Sequence, residues 1–74
     1  MNLTLYSDLV QYLQNKRYYA QIDFHNLTQE KNMDSIYENK LESLSQSLTQ
    51  IFQLNEKIDY LNNIINENKG SINE

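Results

Sequence analysis

Cysteine, proline and tryptophan are missing from these 74 residues, and glycine and histidine occur once each. The lack of cysteine excludes disulfides, thiolate metal sites and a thiol nucleophile. The lack of proline leaves helical hydrogen bonding unbroken, and a lone glycine cannot build a glycine-rich phosphate loop. Basic residues are few: six Lys and Arg against ten Asp and Glu give a net charge of −4. That balance argues against nucleic acid, whose phosphates call for a basic stripe, and Lys16-Arg17 is the only adjacent basic pair. No apolar run approaches the roughly 20 residues of a membrane span. The first residues do not pair a basic segment with an apolar one, so a soluble, cytoplasmic chain without membrane contact is expected.

A chain of this length forms one domain, taken as 1–74. Its core supplies only about 3–5 kcal/mol unless a staple is added. With no cysteine to staple it, oligomerisation or a bound partner is the remaining route. Asn and Gln are abundant, a composition compatible with disorder, but the apolar residues are periodic and include six tyrosines and two phenylalanines.

Two apolar stripes carry that periodicity. Leu3, Tyr6, Val10, Leu13, Arg17, Ala20, Phe24 and Leu27 step by threes and fours, and Tyr37, Leu41, Leu44, Leu48 and Ile51 do likewise. Continuing the first stripe through Lys31, Asp34 and Glu38 meets charges, so a single straight seam cannot hold both. The pattern predicts an all-α fold, an antiparallel two-helix hairpin of coiled-coil type with helices about 4–29 and 35–69. Its expected core is Val10, Leu13, Ala20, Phe24, Leu27, Leu41, Leu44, Leu48 and Ile51.

Local signals punctuate the hairpin. The first helix starts near Thr4 or Ser7, and residues 28–35 form a polar break. There Asn32 can adopt the left-handed conformation that closes a helix, and Ser35 with Glu38 forms a capping box. Gly70 suits the position just past the second helix, with Lys69 favourable against its dipole. After Ile51 the stripe continues as Leu54, Ile58, Leu61 and Ile65, a step of three where four was due. Such a stammer rotates the stripe, so the early half of the second helix should face the first, while the later half turns elsewhere or overwinds locally. At about 1.5 Å per residue the helices measure roughly 40 and 50 Å. A tight hairpin then leaves Leu61, Ile64, Ile65 and Ile72 beyond the first helix, without cover.

The first helix carries a second stripe, Leu5, Leu9, Tyr12, Tyr19 and Ile22, about 130° from its seam at 100° per residue. A helix with two stripes needs two neighbours, and tyrosine suits an interface that stays partly wet. Leu5, Leu9, Tyr12, Tyr19, Ile22, Leu61 and Ile65 are therefore the expected partner-binding residues. Self-association through the same residues, or ordinary surface exposure of Tyr12, Tyr18 and Tyr19, are the alternatives.

Catalytic chemistry is not indicated, and neither a metal nor a cofactor is expected. His25 has Asp23 two residues away, on another side of the helix, and fits a solvent-facing or packed imidazole better than a ligand. Glu38 with Glu42, and Glu56 with Asp59, fall at helical spacing on solvated faces. Asn2-Leu-Thr4 and Asn26-Leu-Thr28 match the glycosylation pattern only formally, with no signal peptide beside them. Arg17 lies in the seam, where it can set register or bind a carboxylate; snorkelling to water is the plainer alternative.

With its amphipathic first helix, short polar turn and second helix opening Ile36-Tyr-Glu-Asn-Lys-Leu-Glu-Ser-Leu-Ser-Gln-Ser-Leu-Thr-Gln-Ile51, the chain resembles the small E-type co-chaperones of bacterial type III secretion needles. The likeness covers about residues 5–60, and the tail after Tyr60 is longer than the pattern requires. It implies a non-catalytic hairpin that pairs with a larger, repeat-type helical chaperone and keeps the needle subunit monomeric in the cytoplasm. A homo-oligomeric structural coiled coil is one alternative. Another is a regulator resembling short two-helix sporulation phosphatases, suggested by Asn55-Glu-Lys-Ile-Asp59. There Asn55 stands where that family's pattern has serine, and the first helix here is longer.

Overall fold

A computed structural model describes residues 2–29 and 37–72, with side chains as far as Asn68. It is an all-α hairpin of two packed helices, α1 (Leu3–Gln29) and α2 (Tyr37–Ile72). The molecule is a rod, 60 × 15 × 14 Å. The expected closing position Asn32 and the Ser35 cap lie outside the described residues.

The start of α1 is fixed by Asn2, ahead of the Thr4 or Ser7 starts that the sequence suggested. Its Oδ1 accepts from the Leu5 backbone N–H at 3.0 Å, and its carbonyl accepts from the Tyr6 N–H at 3.2 Å. Asn2 thereby satisfies donors that the first turn cannot pair internally. Nothing acidic lies in that first turn, so the amide is what meets the positive end of the helix dipole. Further along, Thr28 Oγ1 donates to the His25 carbonyl at 2.6 Å, turning a hydroxyl of the last turn back onto the helix.

The α1 seam is the one its spacing predicts. Val10, Leu13 and Ala20 are buried, Leu3, Tyr6, Arg17, Phe24 and Leu27 are half-buried, and every other described side chain of α1 is exposed. One straight line of contact suffices because steps of three and four keep a slightly supercoiled helix facing the same neighbour.

The register of α2 differs from expectation. Arg17 Nη1 donates to Asn55 Oδ1 at 2.8 Å across the hairpin. Ten residues on from Asn55 is Ile65, and about ten back from Arg17 are Tyr6 and its neighbours, which pack on the core. Joining Gln29 tightly to Ser35 would instead have put Leu3 opposite Leu61 and left Ile65 uncovered. The observed register carries pairing past Ile65, so Leu61 and Ile65 are buried in the hairpin and Ile64 is half-buried. Their expected exposure is corrected accordingly.

The overhang falls at the opposite end of α2. Gln29 comes near Ser43, so Tyr37 and Leu41 lie beyond the last described residue of α1. Leu41, expected in the core, is 47 % exposed, and Leu44 and Leu48 are half-buried. The dense part of the core is the later half of α2, with Ile51, Leu54, Ile58, Leu61 and Ile65, of which Ile58 is deepest at 2 % exposed. The stammer after Ile51 therefore does not turn the later stripe away. α2 follows the rotated stripe and keeps it against α1.

Gly70 also differs from the reading as a helix terminator. α2 runs through it to Ile72, and no glycine has positive φ. Upstream, the Asn68 side chain donates from Nδ2 to the Ile64 carbonyl at 2.8 Å and Thr49 Oγ1 donates to the Ser45 carbonyl at 3.1 Å. Both are returns of a polar side chain onto the preceding turn. Among the described residues no buried side-chain nitrogen or oxygen lacks a partner.

Candidate functional site

Written on the seam, the two flanks of α1 differ sharply. On one side of the seam Thr4, Ser7, Gln11, Gln14, Tyr18, Gln21, His25 and Thr28 step by threes and fours, polar but for Tyr18. On the other side Leu5, Leu9, Tyr12, Lys16 and Tyr19 step by four, three, four and three, a continuous second stripe. Leu5 is 63 % and Tyr12 55 % exposed, and Leu9 and Tyr19 are exposed with them. Ile22 is exposed too, but it breaks that stepping by one residue, about 100° round the helix. Four of the five expected α1 partner residues thus share one face, and Ile22 turns toward the back.

The matching flank of α2 extends the surface. Gln53, Lys57, Tyr60 and Ile64 step by four, three and four beside the buried Leu54, Ile58, Leu61 and Ile65. Between the helices, Leu9, Leu13, Lys57, Tyr60 and Leu61 line an open apolar groove of about 340 Å³. Leu13 and Leu61 are its floor, buried in the core, and Leu9 and Tyr60 are its walls. Leu61, expected on the partner surface, thus reaches it only as floor. Ile65 is buried beside it.

Tyr60 and Lys57 are site residues that the sequence reading passed over. Their signal was present in the four-three-four stepping from Gln53 to Ile64. It becomes legible only when the frame is reset at Ile51, because in the frame of Leu41, Leu44 and Leu48 these positions belong to another face.

Aromatic contacts order the outer side of the flank. Lys16 Nζ lies 5.1 Å from the Tyr12 ring centroid, a cation–π arrangement between residues four apart. Tyr18 and Tyr19 meet edge to face, centroids 5.5 Å apart and planes at 72°. The opposite side of the hairpin has exposed aromatics as well, Tyr18 on α1, with exposed Ile22 four residues on, and Phe52 on α2.

Total area reflects the extended shape. The chain exposes 5965 Å², whereas a compact monomer of this mass exposes about 4,800 Å². The surplus, on the order of 1,100 Å², is what a rod of 60 × 15 × 14 Å carries over a compact body of the same mass.

Among the described residues no three His, Asp or Glu side chains converge as for a metal ion. Among the described residues no helix is long and apolar enough to cross a membrane. His25 is exposed near the end of α1, away from the groove. No family model matches the chain, and neither a curated protein nor a solved structure matches it.

Proposed function

We propose that this chain is a non-catalytic protein-binding module whose Leu5–Leu9–Tyr12–Tyr60 flank docks a helical protein partner. The supporting observation is the open groove between α1 and α2, walled by Leu9 and Tyr60 and floored by core leucines. A groove between two helices accepts a third helix by the same packing of ridges into grooves that holds the first two together. Tyrosines at its rim add buried area at small entropic cost and keep their hydroxyls hydrated.

The sequence resemblance gives this reading a specific form. In it the partner is a larger helical chaperone, and the pair holds a type III secretion needle subunit soluble in the cytoplasm as a bacterial co-chaperone. The chain then acts by covering apolar surface and carries out no reaction of its own.

Replacing Tyr12 and Tyr19 together by glutamate tests the reading. Both are exposed, so circular dichroism should stay helical. Stoichiometric co-purification with the larger chaperone and needle subunit, co-expressed with the chain, should be lost. Unchanged binding by the double variant removes the proposed surface. A stable, dilution-insensitive monomer whose flank binds nothing removes the module reading itself.

A further inference from the structure

The docking flank is complementary to its own reverse. The Arg17–Asn55 bond fixes a common level from which both helices can be counted. Toward the Asn2 end, Lys16 and Lys57 come first, one and two residues along. Tyr12 and Tyr60 follow at five, Leu9 and Ile64 at eight and nine, and Leu5 and Glu67 at twelve. All of these are exposed except Ile64, which is half-buried. Asp23 continues the stepping on the far side of the Arg17–Asn55 bond, outside this span. Lysine therefore closes one end of an apolar patch, and the Glu67 carboxylate stands at the other, level with Leu5.

Building on the docking reading above, we infer that a second copy of this chain, lying antiparallel, covers the flank when no other helical partner holds it. The pairing has a two-fold axis across the rod, midway between Leu9 and Tyr12 on α1 and level with Asn62 on α2. Those two points differ in level by half a residue, about 0.8 Å, so one axis serves both helices. It sets Leu9 against Tyr12 and Tyr60 against Ile64 of the second copy, and Lys57 against its Glu67, each contact occurring twice. Lys16, held over Tyr12, comes onto Leu5, its stem covering the leucine while its ammonium stays in water. A parallel two-fold pairing is disfavoured, because it brings Lys57 against Lys16. The antiparallel dimer is a four-helix bundle of two hairpins. A larger helical partner reaches the same groove only by displacing the second copy.

Lys57 and Glu67 are ten residues apart on α2, about 15 Å along the helix. Their side chains cannot meet within one chain, so any coupling between them arises between copies. Lys57→Glu and Glu67→Lys, both at exposed positions, should keep their helicity by circular dichroism. Each should raise the dimer Kd about tenfold in sedimentation equilibrium. Net charge alone forecasts the opposite for Glu67→Lys, which makes an acidic chain less acidic. Mixed in equal amounts, the two variants should form dimers within about threefold of the unaltered Kd, because each supplies the charge that the other lacks. Dimers that Glu67→Lys leaves unchanged or tightens, or that mixing does not restore, place the contact on another face or alignment and overturn the inference. A chain that stays monomeric also overturns it. If that monomer still co-purifies with a helical partner through Tyr12 and Tyr19, the docking reading stands; if it does not, both fall.

Discussion

Arg17 and Asn55 are joined across the hairpin by a hydrogen bond of 2.8 Å from the guanidinium Nη1 to the amide Oδ1. Arg17 occupies a seam position where an apolar residue would otherwise pack, and the bond is half-buried between Leu13 and Ala20 on α1 and Leu54 and Ile58 on α2. A polar pair in an apolar seam favours one alignment, because any slip leaves both groups without partners. Of the readings made from sequence, the bond is compatible with register setting, while its acceptor is an amide rather than a carboxylate.

Replacing Arg17 alone by leucine should destabilise the hairpin by about 1–2 kcal/mol in urea titrations, since it orphans the Asn55 amide. Changing both, Arg17→Leu with Asn55→Leu, should restore or exceed the original stability. The double variant should also populate shifted registers, read as broadened distance distributions between spin labels on the two helices. A single sharp distance in the double variant would show that the apolar residues set the register unaided.

Ile58, the most deeply buried side chain, is the position where truncation should do most harm. Ile58→Ala removes packed methyl groups and should cost about 2–4 kcal/mol, most of what a core of this size supplies. Leu41→Ala, at a half-exposed position, should cost well under about 1 kcal/mol. Thermal melts by circular dichroism would separate the two; equal effects would place the core in the early half of α2 after all.

Asn2→Ala removes the N-cap and should lower stability by about 1 kcal/mol, whereas Asn2→Asp should preserve or raise it by adding charge at the dipole's positive end. Amide exchange should accelerate at Leu5 and Tyr6 in the alanine variant and leave the Ala20 region unaffected. Uniform acceleration along α1 would argue that the cap is coupled to the entire seam.

Gly70→Ala distinguishes a helical glycine from a helix terminator. With α2 continuous to Ile72 and Gly70 at negative φ, alanine should stabilise the last turns by up to about 1 kcal/mol and raise helicity. A loss of stability would mean that Gly70 takes a left-handed conformation in solution.

The seam of α1 was legible because eight residues repeat without interruption, and a period of three and four has a single structural meaning at that length. The second stripe, Leu5 to Tyr19, was legible for the same reason. The register was not. Spacing along one helix says which side is apolar, but not how far the other helix slides past it. Thus Leu61 and Ile65 were read as exposed, Leu41 was read as core, and each had the wrong surroundings while belonging to a correctly identified stripe. The stammer at Ile51 compounded this, for sequence alone does not tell whether a helix follows a rotated stripe or abandons it.

Two apolar periods separated by a charged break are enough to dictate two helices folded against each other, because each stripe must leave water and no disulfide or large core substitutes for that pairing. Which leucines end in the interior, and that Leu9 and Tyr60 from separate helices wall one groove, was decided by the docking of the helices. Burial depends on what lies opposite, and that is a property of the pair, fixed here with Arg17 set against Asn55.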